Sequence, residues 1–80
     1  MILTEVIFRI EDGKPIAFFP KEEMGKGMIS CYTFAEGHSS AQLEYVRQCS
    51  AANINQFLPL YNHLISMGYN LKVRTLRILK

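Results

Sequence analysis

The stretch ILTEVIFRIEDGKPIAFFP, residues 2–20, decides the fold. Ile2, Thr4, Val6, Phe8 and Ile10 alternate with Leu3, Glu5, Ile7 and Arg9, which is the two-residue period of an extended strand. Glu11-Asp12-Gly13-Lys14 follows, and Asp12-Gly13 supplies the positive φ angles of a type I′ hairpin turn. Pro15 to Phe19 is the returning strand, stopped by Pro20, which cannot donate to a ladder. With Glu11 opposite Lys14, Phe8 faces Ala17, Ile7 faces Phe18 and Val6 faces Phe19. Opposed residues share a face. One face therefore collects Val6, Phe8, Ile10 and Phe19, and the other Leu3, Ile7, Ile16 and Phe18. A one-sided antiparallel sheet is half polar. Here both faces need cover, and one helix does not easily supply both.

Further along, Lys21 to Gly27 (KEEMGKG) reads as a charged, glycine-containing loop. Met28 to Ala35 reads as a third strand ended by Glu36-Gly37. His38 to Gln42 is small and polar, and the reading is a loop or a single turn. In residues 43–49, Leu43, Tyr45, Arg47 and Cys49 alternate with Glu44, Val46 and Gln48, a pattern that favours a short strand. The clearest element comes next. Ile54, Phe57, Leu60, Tyr61, Leu64 and Ile65 have the spacing of one buried helical stripe. Asn53 is placed to cap its start and Gly68 to end it, while Pro59 interrupts its hydrogen bonding. Tyr69 to Leu79 reads as a last strand, with Lys72 and Arg74 opposite Leu71, Val73 and Thr75, and the alternation slips at Leu76-Arg77. The expectation is a single α+β domain over residues 1–80. Its sheet is antiparallel and mostly a meander of four or five strands, and one amphipathic helix packs on one face, in the order β-β-β-(β)-α-β. The stripe rests on the Val6, Phe8, Ile10 and Phe19 face or on the opposite one.

Eighty residues with an apolar fraction of 49% and nine aromatic side chains suit a small folded core. The two cysteines, Cys31 and Cys49, are too few for a disulfide framework, and Met1 to Ile10 lacks the basic start and long apolar stretch of a leader. No apolar run approaches the ~20 residues of a membrane helix. These features imply a cytoplasmic protein with reduced thiols and no membrane partner. The net charge is +2, and its distribution says more than its size. Lys72, Arg74, Arg77 and Lys80 crowd the C-terminal stretch without an acid, and between Arg47 and Lys72 no residue carries a formal charge.

Four segments carry a resemblance: TEVIFR (Thr4 to Arg9) with Gly13; PIAFFP (Pro15 to Pro20); Cys31-Tyr32 followed by His38 and Ala41; and Met67-Gly68-Tyr69-Asn70-Leu71-Lys72-Val73. In this order they resemble a family of small bacterial proteins, also met in phages and mobile elements. In that family a hairpin of the type "VIFR…G…IALFP" precedes "SY.HVGQH..A", a helix, and "GY.LKV". The resemblance covers nearly the whole chain and implies architecture; it brings no established activity. Phe34 stands where the family has the histidine before Val-Gly-Gln, and Gly37 stands where it has the glutamine. Of that polar loop only His38 remains, so any role resting on the other side chains is lost here.

Candidate chemistry is sparse. Cys31, His38 and Cys49 are spaced by seven and eleven residues, unlike the paired ligands of a metal site. A catalytic thiol further needs a base within hydrogen-bond reach, whereas a cysteine in an apolar strand is ordinarily a small hydrophobe. Glu22 and Glu23 are adjacent and diverge if extended. No phosphate-binding glycine motif occurs. The reading is thus no catalytic residue, no metal and no cofactor, with His38 a polar loop residue that makes a hydrogen-bonding contact, carries a proton or closes its turn.

Two surfaces remain. Asn55, Gln56, Asn62, His63 and Ser66 form the uncharged outer face of the helix. Charge depletion marks interface centres, although a merely polar solvent face has the same residues. Lys72, Arg74, Arg77 and Lys80 would neutralise phosphates, or protect an edge strand from aggregation. The function expected is therefore a non-enzymatic module working through protein–protein contact, with self-association as a homodimer one form of it. The alternative is a nucleic-acid accessory protein using the basic strand.

Overall fold

The computed structural model describes residues 3–74 of the chain. Its elements are β1 (Thr4–Glu11), β2 (Lys14–Gly25), β3 (Met28–Thr33), β4 (Gly37–Gln42), α1 (Leu43–Gln48), β5 (Ser50–Ala51), α2 (Ile54–Ser66) and β6 (Leu71–Val73). The sheet runs β4-β3-β2-β1-β5, with β6 also paired to β1. The fold is α+β, a mostly antiparallel meander as expected, with six strands and with two helices packed on it where one was expected.

The hairpin forms in the expected register. Ile7 pairs with Phe18, Phe8 with Ala17 and Glu11 with Lys14. Asp12 at φ 54° and Gly13 at φ 74° make the turn. Aspartate is among the few non-glycine residues that enter this region, because a short polar side chain can hydrogen-bond locally. Pro20 does not end β2, which runs on to Gly25. The ladder to β3 shifts register between Phe19 and Glu23 and again before Gly25, and such a bulge accommodates a residue without an N–H. The expected charged loop is therefore largely strand.

The next two assignments are reversed. His38 to Gln42, expected as a loop or a single turn, belong to β4, which is in register with β3 over six pairs from Met28↔Gln42 to Thr33↔Gly37. Residues 43–48, expected as a strand, are α1. Val46 and Cys49, three apart, are both buried, and Tyr45 packs beside them. Glu44 in the first turn and Arg47 in the last complement the helix dipole.

α1 answers the question of cover. One core cluster contains Ile7, Ile16, Phe18, Ile29, Cys31, Val46 and Cys49, and so joins the hairpin to α1. The other contains Val6, Phe8, Ala17, Phe19, Leu60 and Leu64, and joins the opposite face to α2. The two helices sandwich the sheet, and no apolar hairpin face is left spare. Of the two alternatives for α2, the Val6, Phe8 and Phe19 face is the one it covers. Phe57 stacks on Phe8 with ring centroids 4.3 Å apart, and Tyr61 meets Phe8 edge-on at 6.3 Å.

α2 begins at a reciprocal cap. Asn53 accepts from the Gln56 N–H at 2.9 Å, and the Gln56 side chain accepts from the Asn53 N–H at 2.9 Å. Pro59 lies inside the helix. It removes one bond to the Asn55 carbonyl, at a position exposed to water. Gly68 at φ 105° then turns the chain out of the helix. The last strand is shorter than expected and parallel to β1, pairing Thr4 with Leu71 and Val6 with Val73. β5 occupies the other half of the same margin of β1, pairing Arg9 with Ala51 and Ile10 with Ser50. The expected continuation of the last strand beyond Arg74 lies outside the described residues.

Candidate functional site

The sheet sorts the candidate side chains onto its two faces. Cys31 faces α1, where its Sγ lies 3.2 Å from Ser39 Oγ. His38 is on β4, not on a loop, and is paired with Tyr32 on the face toward α2. The sheet therefore separates Cys31 from His38, which could have been its base. Among the described residues, no three His, Cys, Asp or Glu side chains gather as metal ligands.

On the α2 side both histidines of the chain meet around one tyrosine. The Tyr32 hydroxyl and His63 Nε2 are hydrogen-bonded at 2.8 Å, and the His38 ring stands edge-on to Tyr32 with centroids 4.8 Å apart. His38 Nε2 lies 3.4 Å from the Tyr69 hydroxyl, and Phe34 lies beside His63 at 5.2 Å. Tyr69 is itself fixed by stacking on Phe19 at 5.4 Å. His63 is thus turned to the sheet, which removes it from the expected outer face of α2. Gln56 is committed to the cap. Asn55, Asn62 and Ser66 are exposed, with the Ser66 hydroxyl donating to the His63 carbonyl. The Tyr69 phenol is pushed up by burial first, then by the Glu22 carboxylate. A protonated phenol is a hydrogen-bonding group, and the cluster brings two phenols and two imidazoles together for polar and aromatic contact.

Comparison with protein-family profiles, curated proteins and solved structures gives no match.

The other face holds a buried polar group, on the side of β1 that also carries Ile7. Arg9 is 6% exposed. Its Nη1 donates to the Cys49 carbonyl at 2.9 Å, and its Nε has no partner. Nearby the Tyr45 hydroxyl donates to the Glu11 carboxylate. Clefts of about 290 and 580 Å³ open between α1 and the hairpin end of the sheet and share Ile16, Thr33, Glu36 and Tyr45 in their walls. Burial is the main cause that pushes the Cys49 thiol up, and this opposes thiolate chemistry.

These groups give an alkaline limit to stability. The bond to Glu11, and then burial, push the Tyr45 phenol well above its ordinary value. Tyr45, Cys49 and Tyr69 all hold their protons more tightly folded than unfolded. Their contribution is intact below the unfolded values, about 9–10, and is lost as pH rises above them. The urea midpoint is expected to fall between about pH 8 and about pH 11, and Tyr45→Phe should flatten that fall. An unchanged slope in the variant would remove Tyr45 from the cause.

The basic candidates are partly spent. Lys72 and Arg74 are exposed, but Arg74 Nη1 lies 3.2 Å from Glu5, which Lys21 also approaches at 3.7 Å. Arg77 and Lys80 lie outside the described residues. A different surface emerges on α2. Ile54 and Ile65, assigned by spacing to the buried stripe, are 60% and 41% exposed, and Leu58 is 41% exposed. Spacings of four and seven put all three on one flank of the helix, beside the buried stripe and opposite the flank that carries His63.

No described helix is long and apolar enough to cross a membrane.

Proposed function

We propose that this chain is a non-enzymatic interaction module, and that a protein partner docks on the exposed flank of α2. The carrying observation is the row Ile54, Leu58 and Ile65, set in a stretch without formal charge from Gln48 to Leu71. An apolar row without charges, edged by Asn55, Asn62 and Ser66, has the composition of an interface centre. The partner that fits is an apolar protein surface without buried charges, such as an amphipathic helix laid along α2. A cytoplasmic location accords with the two free thiols.

The alternative, a nucleic-acid accessory role for a mobile-element protein, draws on Lys72 and Arg74, and the pairing of Arg74 with Glu5 weakens it. Affinity capture with the chain and with Leu58→Lys decides the main reading. A protein retained by the wild type should be lost about tenfold or more from the variant, whose unfolding midpoint should barely change because the site is exposed. Equal retention by both would sink the reading.

A further inference from the structure

The two margins of the sheet are built differently. Along β1, the margin is filled by β5 and β6, and β6 carries Lys72 with Arg74 beside it. Lysine and arginine on an edge strand discourage further pairing. At the other margin β4 reads GHSSAQ. It has no charge and no proline, and its register with β3 is regular. Among the described residues nothing pairs with its outer side.

The phase of that strand is fixed by one hydrogen bond. Leu43 N–H donates to the Gly27 carbonyl at 3.1 Å, so these opposed residues form a hydrogen-bonded pair. Such pairs alternate along an antiparallel ladder. Ala41, Ser39 and Gly37 therefore direct their backbone groups at β3, and Gln42, Ser40 and His38 direct theirs outward. The side chains of these last three are exposed.

We infer that β4 pairs with β4 of a second copy of this chain, giving a two-fold symmetric dimer with one continuous sheet. The free groups are self-complementary when the axis passes through Ser40. Ser40 then exchanges both backbone bonds with Ser40 of the second copy, and His38 does so with Gln42 of the second copy, in each direction. The strand brings no like charges together, and its central side chains, Ser39, Ser40 and Ala41, are too small to obstruct the approach. Antiparallel pairing also places the exposed Phe34 end of each strand toward the exposed Leu43 end of the other. Because the opposite margin is filled and charged, the pairing closes at two copies and does not propagate. This contact goes beyond the α2 surface and leaves that surface free.

The test is the solution mass of the full chain across a concentration series, by sedimentation or light scattering. The wild type should reach a dimer. Ser40→Lys and Ser40→Glu each place like charges opposite on the axis and should weaken the dimer about tenfold or more. An equimolar mixture of the two should restore a dimer, which a merely misfolded variant would not do, and circular dichroism of each alone confirms the fold. Ser40→Pro removes an outward N–H and should also give a monomer. A wild type that stays monomeric at every concentration overturns the inference. So does a dimer that survives Ser40→Lys but dissociates with Leu58→Lys, since that would place self-association on α2.

Discussion

Phe18→Ala is expected to remove about 3–5 kcal/mol of stability. Phe18 is fully buried in the middle of β2, and its ring meets Tyr45 of α1 edge-on with centroids 6.0 Å apart. The cluster around it joins β1, β2 and β3 to α1 and to Cys49. A large ring deleted there leaves a void bounded by a six-residue helix and a sheet, neither of which collapses freely. A domain of this size has roughly 4–12 kcal/mol in total, so the variant stands close to unfolding. Urea denaturation followed by far-ultraviolet circular dichroism measures the loss, since the chain has no tryptophan to report it. A loss under about 1 kcal/mol would mean that α1 does not seal that face.

Leu60→Ala acts on the opposite face and should cost about 2–5 kcal/mol. Leu60 is fully buried and packs with Val6, Phe8, Phe19 and Leu64. Leu60 and Leu64 are the two fully buried side chains of α2, and its aromatic side chains Phe57 and Tyr61 are only partly buried, so removing one of the two leucines loosens the helix. The expected signature is early loss of amide protection in α2 ahead of β2 and β3. Ile65→Ala, on the exposed flank of the same helix, should change stability by less than about 0.5 kcal/mol. Equal costs for the two substitutions would contradict the packing described.

The hairpin was legible because its turn residues fix register. Once Asp12-Gly13 is placed, every side chain from Val6 to Phe19 has a face, and the need for two covering layers follows. α2 was legible from its cap, its stripe and Gly68. The reversal of β4 and α1 has a physical origin. Gly37, Ser39 and Ala41 are the half-buried residues of β4, and none of them favours strands by itself. β4 is a strand because it pairs with β3. α1 is too short to form from propensity. Its helix follows from the burial of Val46 and Cys49, and its two-residue alternation is incidental.

The candidate site was only partly legible for a related reason. Tyr32, His38 and His63 come from three elements, and no local pattern brings them together. The register of β4 on β3 would have placed His38 opposite Tyr32, but that register was hidden with the strand itself. The flank of α2 was missed because Ile54 and Ile65 fit the rim of a wide stripe. Leu60 and Leu64 form its buried centre, with Phe57 and Tyr61 on the side toward the rim.

The margin of β1 has a consequence for how the chain is made. Thr4 lies beside Leu71, so β1 waits for nearly the whole described chain before that half of it is paired. During synthesis the hairpin emerges long before α2 and β6, with one side of β1 unpaired and an apolar face bare. Contacts this distant in sequence close late and slow folding, and a half-made strand margin attracts other nascent chains. Delivery of α2 and β6 closes the face and the margin together. The C-terminal part of the described chain is therefore its lock: a nascent chain that stalls before Ile54 has both the face and this half of the margin open, and one that stalls before Leu71 still lacks the strand that pairs with Thr4 to Val6.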